Sequence, residues 1–246
     1  MKIVGHRGSS HTAPENTMAA FRLAWEEGVD AVEFDVHLTR DGRIAVIHDD
    51  NTLRTTGCDR RVGLMTLDEL KVLDAGRWKD PRWRGESIPE LAEVLASGPT
   101  NTRFFIEVKC GPEILPELER TLRITGARDE FRYVVLSFDL EVLRRARSFL
   151  PHLELLWNVE LQPEGNGWRP TADELIGKAR EASADTIGIG YGPGVEAPLI
   201  RALQQARLKV FVWTVDEPLA ACRLAEQNVD YLASNRPGFI REQLRL

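Results

Sequence analysis

No stretch of the chain approaches the roughly 20 consecutive apolar residues of a membrane span, so no integral membrane association is expected. Its apolar runs are strand-sized. Blocks of like charge and basic stripes are missing; 38 Asp+Glu against 32 Lys+Arg leaves a mildly acidic net charge of −6. A nucleic-acid partner is therefore not expected, because binding to that backbone rests on clustered cations. A small anion met by a few local cations is still compatible with the charge. Cysteine is scarce: Cys58, Cys110 and Cys222 are odd in number and far apart. They form neither a disulfide framework nor a zinc spacing, which fits a reducing cytoplasm. The opening Met1-Lys2-Ile3-Val4-Gly5-His6 has no charged stretch leading into an apolar core, so no secretory signal is expected. Low-complexity tracts and linker-like segments are also lacking, which predicts one domain over 1–246. Nothing in the composition fixes the oligomeric state.

What is present is an alternation of β-rich runs and amphipathic segments in 246 residues that are 43% hydrophobic. Strands are expected at Lys2–Gly5, Ala31–Leu38, Arg103–Lys109, Tyr133–Phe138, Leu153–Val159, Thr186–Ile189, Lys209–Val215 and Tyr231–Ala233. Helices are expected at Asn16–Glu27, Ser87–Ala96, Pro112–Thr125, Leu140–Phe149, Ala172–Ala182, Pro198–Ala206, Pro218–Gln227 and Arg236–Leu246. Eight strand–helix units in about 250 residues predict an α/β fold, a single (β/α)8 TIM barrel. A doubly wound open sheet would give a similar string. The segment at about 42–84, with a short strand at Arg43–His48, reads as a small insertion after strand 2. Gln162–Pro170 reads as a loop after strand 5.

Four clusters carry polar chemistry at strand ends, where barrel active sites lie. His6-Arg7 follows strand 1 between glycines: a proton carrier and an anion clamp, or a solvated turn. Glu33 and Asp35 alternate with Val32, Phe34 and Val36, so both carboxylates share one face. On an edge strand they would be solvated. Buried together they need a compensating cation. Glu107 and Lys109 repeat the pattern, either as a simple ion pair or as a third carboxylate beside an ammonium for a phosphate oxygen. An all-carboxylate set selects hard ions, Mg²⁺, Ca²⁺ or Mn²⁺, over Zn²⁺. His48-Asp49 ends the inserted strand, where His48 is structural or completes an acid–base pair with His6. His37 is expected to point off the Glu33–Asp35 face. His11 and His152 lack supporting context. Trp213 is barrel core or an aromatic wall for substrate. The glycine-rich run Gly188–Gly194 lacks dinucleotide-binding spacing and reads as a loop near substrate.

His6-Arg7-Gly8, Ala13-Pro14-Glu15-Asn16-Thr17, Glu33-x-Asp35, Thr39-x-Asp41-Gly42, His48-Asp49, Leu53-x-Thr55-Thr56-Gly57, Glu107-x-Lys109 and Trp213-Thr214-Val215 occur in this order. In that pattern the chain resembles the glycerophosphodiester phosphodiesterase family. The likeness is densest over 5–57 and sparser afterwards. It implies a barrel, one divalent cation, and hydrolysis of a small-molecule glycerophosphodiester to an alcohol and sn-glycerol 3-phosphate. By matching motif it implies Glu33, Asp35 and Glu107 as metal ligands and His6 and His48 as general acid and base. Arg7 and Lys109 would hold phosphate, and Asn16 would order the first loop. One departure is Ser234-Asn235 before Arg236-Pro237, where many members carry Thr-Asp; its expected effect falls on loop contacts more than on chemistry. Two other readings compete. One is a lysophospholipase D-like activity, which would need an apolar entrance such as Leu161–Trp168; the other is a catalytically silent phosphate-binding barrel.

Overall fold

The computed structural model describes residues 1–125 and 132–246. Strands β1 (Lys2–His6), β2 (Ala31–Leu38), β4 (Arg103–Val108), β5 (Tyr133–Ser137), β6 (Glu154–Val159), β9 (Thr186–Gly190), β10 (Lys209–Trp213) and β11 (Tyr231–Ser234) are all parallel. They run in the order β1-β11-β10-β9-β6-β5-β4-β2, closed by the β1–β2 pairing. Helices α1 (Met18–Glu26), α4 (Leu91–Ser97), α5 (Leu115–Ile124), α6 (Leu140–Phe149), α7 (Ala172–Glu181), α8 (Ala197–Gln205), α9 (Pro218–Glu226) and α10 (Pro237–Leu244) intervene. This is the expected TIM barrel. Its helix ends follow local chemistry: the Thr17 side chain accepts from the Ala20 amide to start α1, and Thr171 with Glu174 forms a capping box at α7. No helix among the described residues is long and apolar enough to cross a membrane.

The period-two alternation of each strand sorts the core into two shells. Outward residues such as Val32, Phe34, Ile106, Val135, Ile187 and Val212 pack under the helices. Inward, Val4, Phe105, Val134, Leu136, Leu156, Phe211 and Tyr231 fill the barrel, with Phe105 stacked on Phe211 at 5.5 Å. Each such fully buried aromatic contributes roughly 1.5–3 kcal/mol of apolar burial. At the N-terminal end Glu154 accepts from Lys209 at 2.6 Å, from Thr186 at 2.6 Å and from Arg103 at 3.1 Å. The Arg103 guanidinium also donates to the Tyr231 hydroxyl. The floor is thus cross-tied by ion pairs, and the acidic cluster lies at the opposite end.

The insertion after β2 is present. It comprises β3 (Ile44–Val46), antiparallel to β2, then α2 (Leu53–Thr56) and α3 (Leu67–Lys71), with Ala45, Ile47, Val62, Leu67, Leu70 and Ile88 forming its own small core. Two expectations shift. Helix α4 begins at Leu91 and not at Ser87, because Glu90 and Glu93 form the capping box there. The segment expected to be a loop after the fifth barrel strand is a hairpin, β7 (Gln162–Glu164) with β8 (Gly167–Arg169). Gly165, at φ 58°, supplies the left-handed residue its two-residue turn requires.

Candidate active site

Parallel register brings the acidic residues together. Asp35 on β2 pairs with Glu107 on β4, and His6 on β1 pairs with Glu33. Glu33, Asp35 and Glu107 each offer an oxygen within 4.8 Å of the others, and the three are 2%, 1% and 7% exposed. Burial, then repulsion from Asp35 and Glu107, pushes the Glu33 carboxyl well above its ordinary range. The same two effects raise Glu107 to about 7, against the pull of Lys109.

Compensation by the protein is partial. Arg7 Nε lies 3.1 Å from Asp35 Oδ2, and Lys109 Nζ lies 3.0 Å from Glu107 Oε1 and 3.8 Å from Asp35 Oδ1. The Arg7 amide, its residue at φ 56°, donates to Glu33 Oε2 at 3.0 Å. Asn158 Nδ2 donates to Glu107 Oε2 at 3.2 Å. Glu33 Oε1 is buried with no hydrogen-bond partner. Three converging carboxylates, two flanking cations and an orphaned oxygen fit a hard divalent cation.

His6 and His48 flank this cluster. His6 Nε2 is 4.0 Å from Glu33 Oε2, and its pKa is held down at about 4 by burial and then by the Arg7 charge. His48 Nε2 is 3.2 Å from Lys109 Nζ, and its Nδ1 is 2.7 Å from Asp49 Oδ1. Asp49 is partly buried, which alone would raise it; Arg54 and His48 override that and hold it at about 2. Arg54 also grips Glu15, whose other partner is Arg7. A chain of alternating charges therefore runs from Asp49 through Arg54 and Glu15 to Arg7, with His48 bonded to Asp49 at its start. All eight expected site residues meet at one end of the barrel. His6, Arg7, Glu33, Glu107, His48, Lys109 and Trp213 line a cavity of about 350 Å³, and Asp35 lies beneath it.

The local reading of several residues changes. His37 does not turn off the carboxylate face. Positions 33, 35 and 37 share parity on a strand that continues to Leu38, and His37 Nε2 donates to the His48 carbonyl at 3.0 Å. Asn16, at φ 56°, donates its backbone amide to the Arg7 carbonyl at 3.1 Å and its Nδ2 to Asp35 Oδ2 at 2.8 Å. Asn235 makes the expected loop contacts with Ser10 and Asp216, and in addition its Oδ1 meets His6 Nδ1 at 2.8 Å. Trp213 is half-buried at the cavity wall, edge-to-face with Phe138 at 5.5 Å. His11 and His152 lie outside this cavity. Sequence reading missed Asn158, Arg54 and Glu160. The first had a signal: a polar residue in phase with inward Leu156 on an otherwise apolar strand.

Comparison with known proteins agrees with the geometry. The model of the glycerophosphoryl diester phosphodiesterase family matches residues 6–239. The Bacillus subtilis protein YhdW is 34% identical, covering 98% of this chain and 96% of that protein. A glycerophosphodiester phosphodiesterase of Caldanaerobacter subterraneus subsp. tengcongensis is 32% identical, with 96% and 94% covered. Among solved structures, an Oleispira antarctica phosphodiesterase in complex with the product sn-glycerol-3-phosphate superimposes with a TM-score of 0.90. It is 27% identical, and the match covers 100% of this chain and 97% of that one.

Proposed function

The chain belongs to the glycerophosphoryl diester phosphodiesterase family, and from that premise we propose that it hydrolyses glycerophosphodiesters to an alcohol and sn-glycerol 3-phosphate. It is an enzyme of the phosphoric diester hydrolase class, and in this reading residues 1–246 act as one domain. Glu33, Asp35 and Glu107 hold the metal: Mg²⁺ or Ca²⁺, with Mn²⁺ also suited to such oxygen ligands. When bound, the ion supplies positive charge against the non-bridging phosphate oxygens.

The remaining work falls to side chains. Arg7 and Lys109 bind phosphate oxygens and stabilise charge as it redistributes. His6, beside Glu33, and His48, beside Lys109, form the proton-transfer pair. One takes a proton from the attacking group, water or the substrate's own glycerol hydroxyl, as the new P–O bond forms; in the second case water then opens the cyclic phosphate to sn-glycerol 3-phosphate. The other gives a proton to the alcohol oxygen as the old P–O bond breaks. Trp213 forms a wall of the substrate cavity. The free thiols Cys58, Cys110 and Cys222 support a cytoplasmic setting.

The observation that carries the proposal is the buried carboxylate triad with a histidine at each side. Its test is direct. Purified protein with Mg²⁺ should release sn-glycerol 3-phosphate from glycerophosphodiesters, detected by coupled oxidation of that product. No release with Mg²⁺, Ca²⁺ or Mn²⁺ would overturn it.

A further inference from the structure

A single guanidinium joins the two halves of the catalytic machinery. Arg54 Nε donates to Asp49 Oδ2 at 2.7 Å, and its Nη1 and Nη2 donate to the two Glu15 oxygens at 2.8 and 2.9 Å. Asp49 in turn meets His48 Nδ1 at 2.7 Å, and Glu15 accepts from Arg7 Nη1 at 2.9 Å. Arg54 itself does not line the catalytic cavity. We propose that it is a positioning residue for the phosphodiester reaction, fixing the His48 ring relative to the Arg7 phosphate clamp. The inference rests on the phosphodiesterase reading of the site and adds to it a residue that acts through two others.

Topology is the first argument. His48 and Asp49 lie in the insertion, just beyond β3, whereas Arg7 and Glu15 belong to the loop after β1. Among the described residues, only Arg54 hydrogen-bonds segment 48–57 to segment 7–17. A misplacement of about 1 Å between a catalytic group and its substrate can cost on the order of 100-fold in rate, so two loops that share one reaction need such a tie. Helix α2 gives the guanidinium a firm base. It is one turn closed at both ends, with the Thr52 amide on the Arg60 carbonyl and the Gly57 amide on the Leu53 carbonyl, each at 2.9 Å.

Charge is the second argument. Burial would raise both carboxyls, yet Arg54 and Arg7 hold Glu15 at about 2, and Arg54 and His48 hold Asp49 there too. Both stay anionic across the neutral range, so the guanidinium is held from two sides. Shape is the third. Three N–H groups of one plane serve the two carboxylates, a fork that an ammonium, being a point charge, cannot reproduce. The Arg54 side chain is 42% exposed, where ion pairs contribute little to stability, so geometry is what the arrangement secures.

The test uses the full chain with Mg²⁺ and a glycerophosphodiester. Arg54→Ala should lower kcat on the order of 10- to 100-fold, while the Mg²⁺-induced rise in Tm stays close to the parent's. Arg54→Lys, which keeps the charge and loses the fork, should recover little of that loss. Asp49 and Glu15 share no hydrogen bond among the described residues. Asp49→Asn and Glu15→Gln should nonetheless be non-additive in kcat in the parent, and additive in the Arg54→Ala background. A parent-like kcat in Arg54→Ala, full recovery in Arg54→Lys, or additive losses in the parent would overturn the positioning role. So would an equal loss of metal-induced stabilisation, the mark of a site that has merely loosened. Should Arg54→Ala not fold, Arg54→Lys and the Asp49–Glu15 pair decide. A parent chain that cleaves no glycerophosphodiester overturns the phosphodiesterase reading instead, and the inference falls with it.

Discussion

His6 Nδ1 lies 2.8 Å from Asn235 Oδ1, and the other end of that amide is fixed because Asn235 Nδ2 donates to Asp216 Oδ2 at 2.8 Å. The amide oxygen can only accept, so Nδ1 carries the proton and the Nε2 lone pair is left towards Glu33. An amide does this without adding the negative charge that a carboxylate would place beside the ring. Asn235→Asp should therefore raise the His6 titration midpoint from about 4 by a unit or more, because the imidazolium gains a charged partner. Imidazole ¹⁵N NMR against pH would read this directly. An unchanged midpoint would disconnect His6 from Asn235.

If His6 and His48 exchange protons with the reacting groups, His6→Ala and His48→Ala should each lower kcat by on the order of 10²- to 10⁴-fold. The double variant should fall well short of the product of the single losses, since the two serve one proton path. On an ester with a good phenolate leaving group, whichever histidine acts as the acid should become nearly dispensable. Near-parent rates for both single variants on a glycerol diester would return them to structural roles.

Metal removal should abolish turnover, and Mg²⁺, Ca²⁺ or Mn²⁺ should restore it. Independently of activity, the ion should raise Tm in the parent by mass action and much less in Asp35→Ala, which keeps only two of the carboxylates. The metal-free variant also loses the Asp35 contacts to Arg7 and Asn16, so the readout is the metal-induced shift within each protein. Equal metal-induced shifts in both proteins would remove Asp35 from the ligand set.

The pH dependence of stability has a definite sign. The Glu107 carboxyl is raised from 4.5 to about 7 on folding, so its contribution favours the fold below about 4.5 and is lost as pH rises through about 7. Glu33 is shifted in the same direction. In metal-free protein, the Tm of Glu107→Gln minus that of the parent should therefore grow between pH 4.5 and 7 and then level off. Saturating Mg²⁺ should reverse the difference, since only the parent keeps all three carboxylates for the ion. A difference that does not vary with pH would mean that Glu107 is ionised throughout.

His37→Ala should lower kcat by less than about tenfold, with little change in metal-induced stabilisation. Its ring holds the His48 carbonyl and does not line the catalytic cavity, so its loss would loosen His48 without deleting it. Rescue of the rate by His37→Gln, whose amide can donate to the same carbonyl, would mark this as positioning; a loss of metal binding would contradict it.

Legibility in the sequence followed the range of the forces involved. The barrel and its carboxylates could be read because β2 and β4 alternate cleanly: Val32, Phe34 and Ile106 lie on one side, Glu33, Asp35 and Glu107 on the other. His37 was misread although the same alternation determines its face. The strand continues unbroken to Leu38, so position 37 keeps the phase of 33 and 35. Arg54, Glu15 and Asn235 were harder for a different reason. Their partners are 39 and 229 residues away in sequence, and no local period encodes which loops meet over a barrel mouth. The hairpin at 162–169 was legible in principle from the Gly165-Asn166 pair, but its Pro163 and polar flanks argued for a loop.

The cross-tied floor, where Arg103, Lys209 and Thr186 converge on Glu154 beneath stacked Phe105 and Phe211, leaves the barrel no back door. In the proposed reaction, substrate and both leaving fragments would enter and leave at the opposite end, where Trp213 and Phe138 line the cavity. A fragment that lingers there blocks the next arrival, so traffic through the mouth can limit throughput even when bond cleavage is fast.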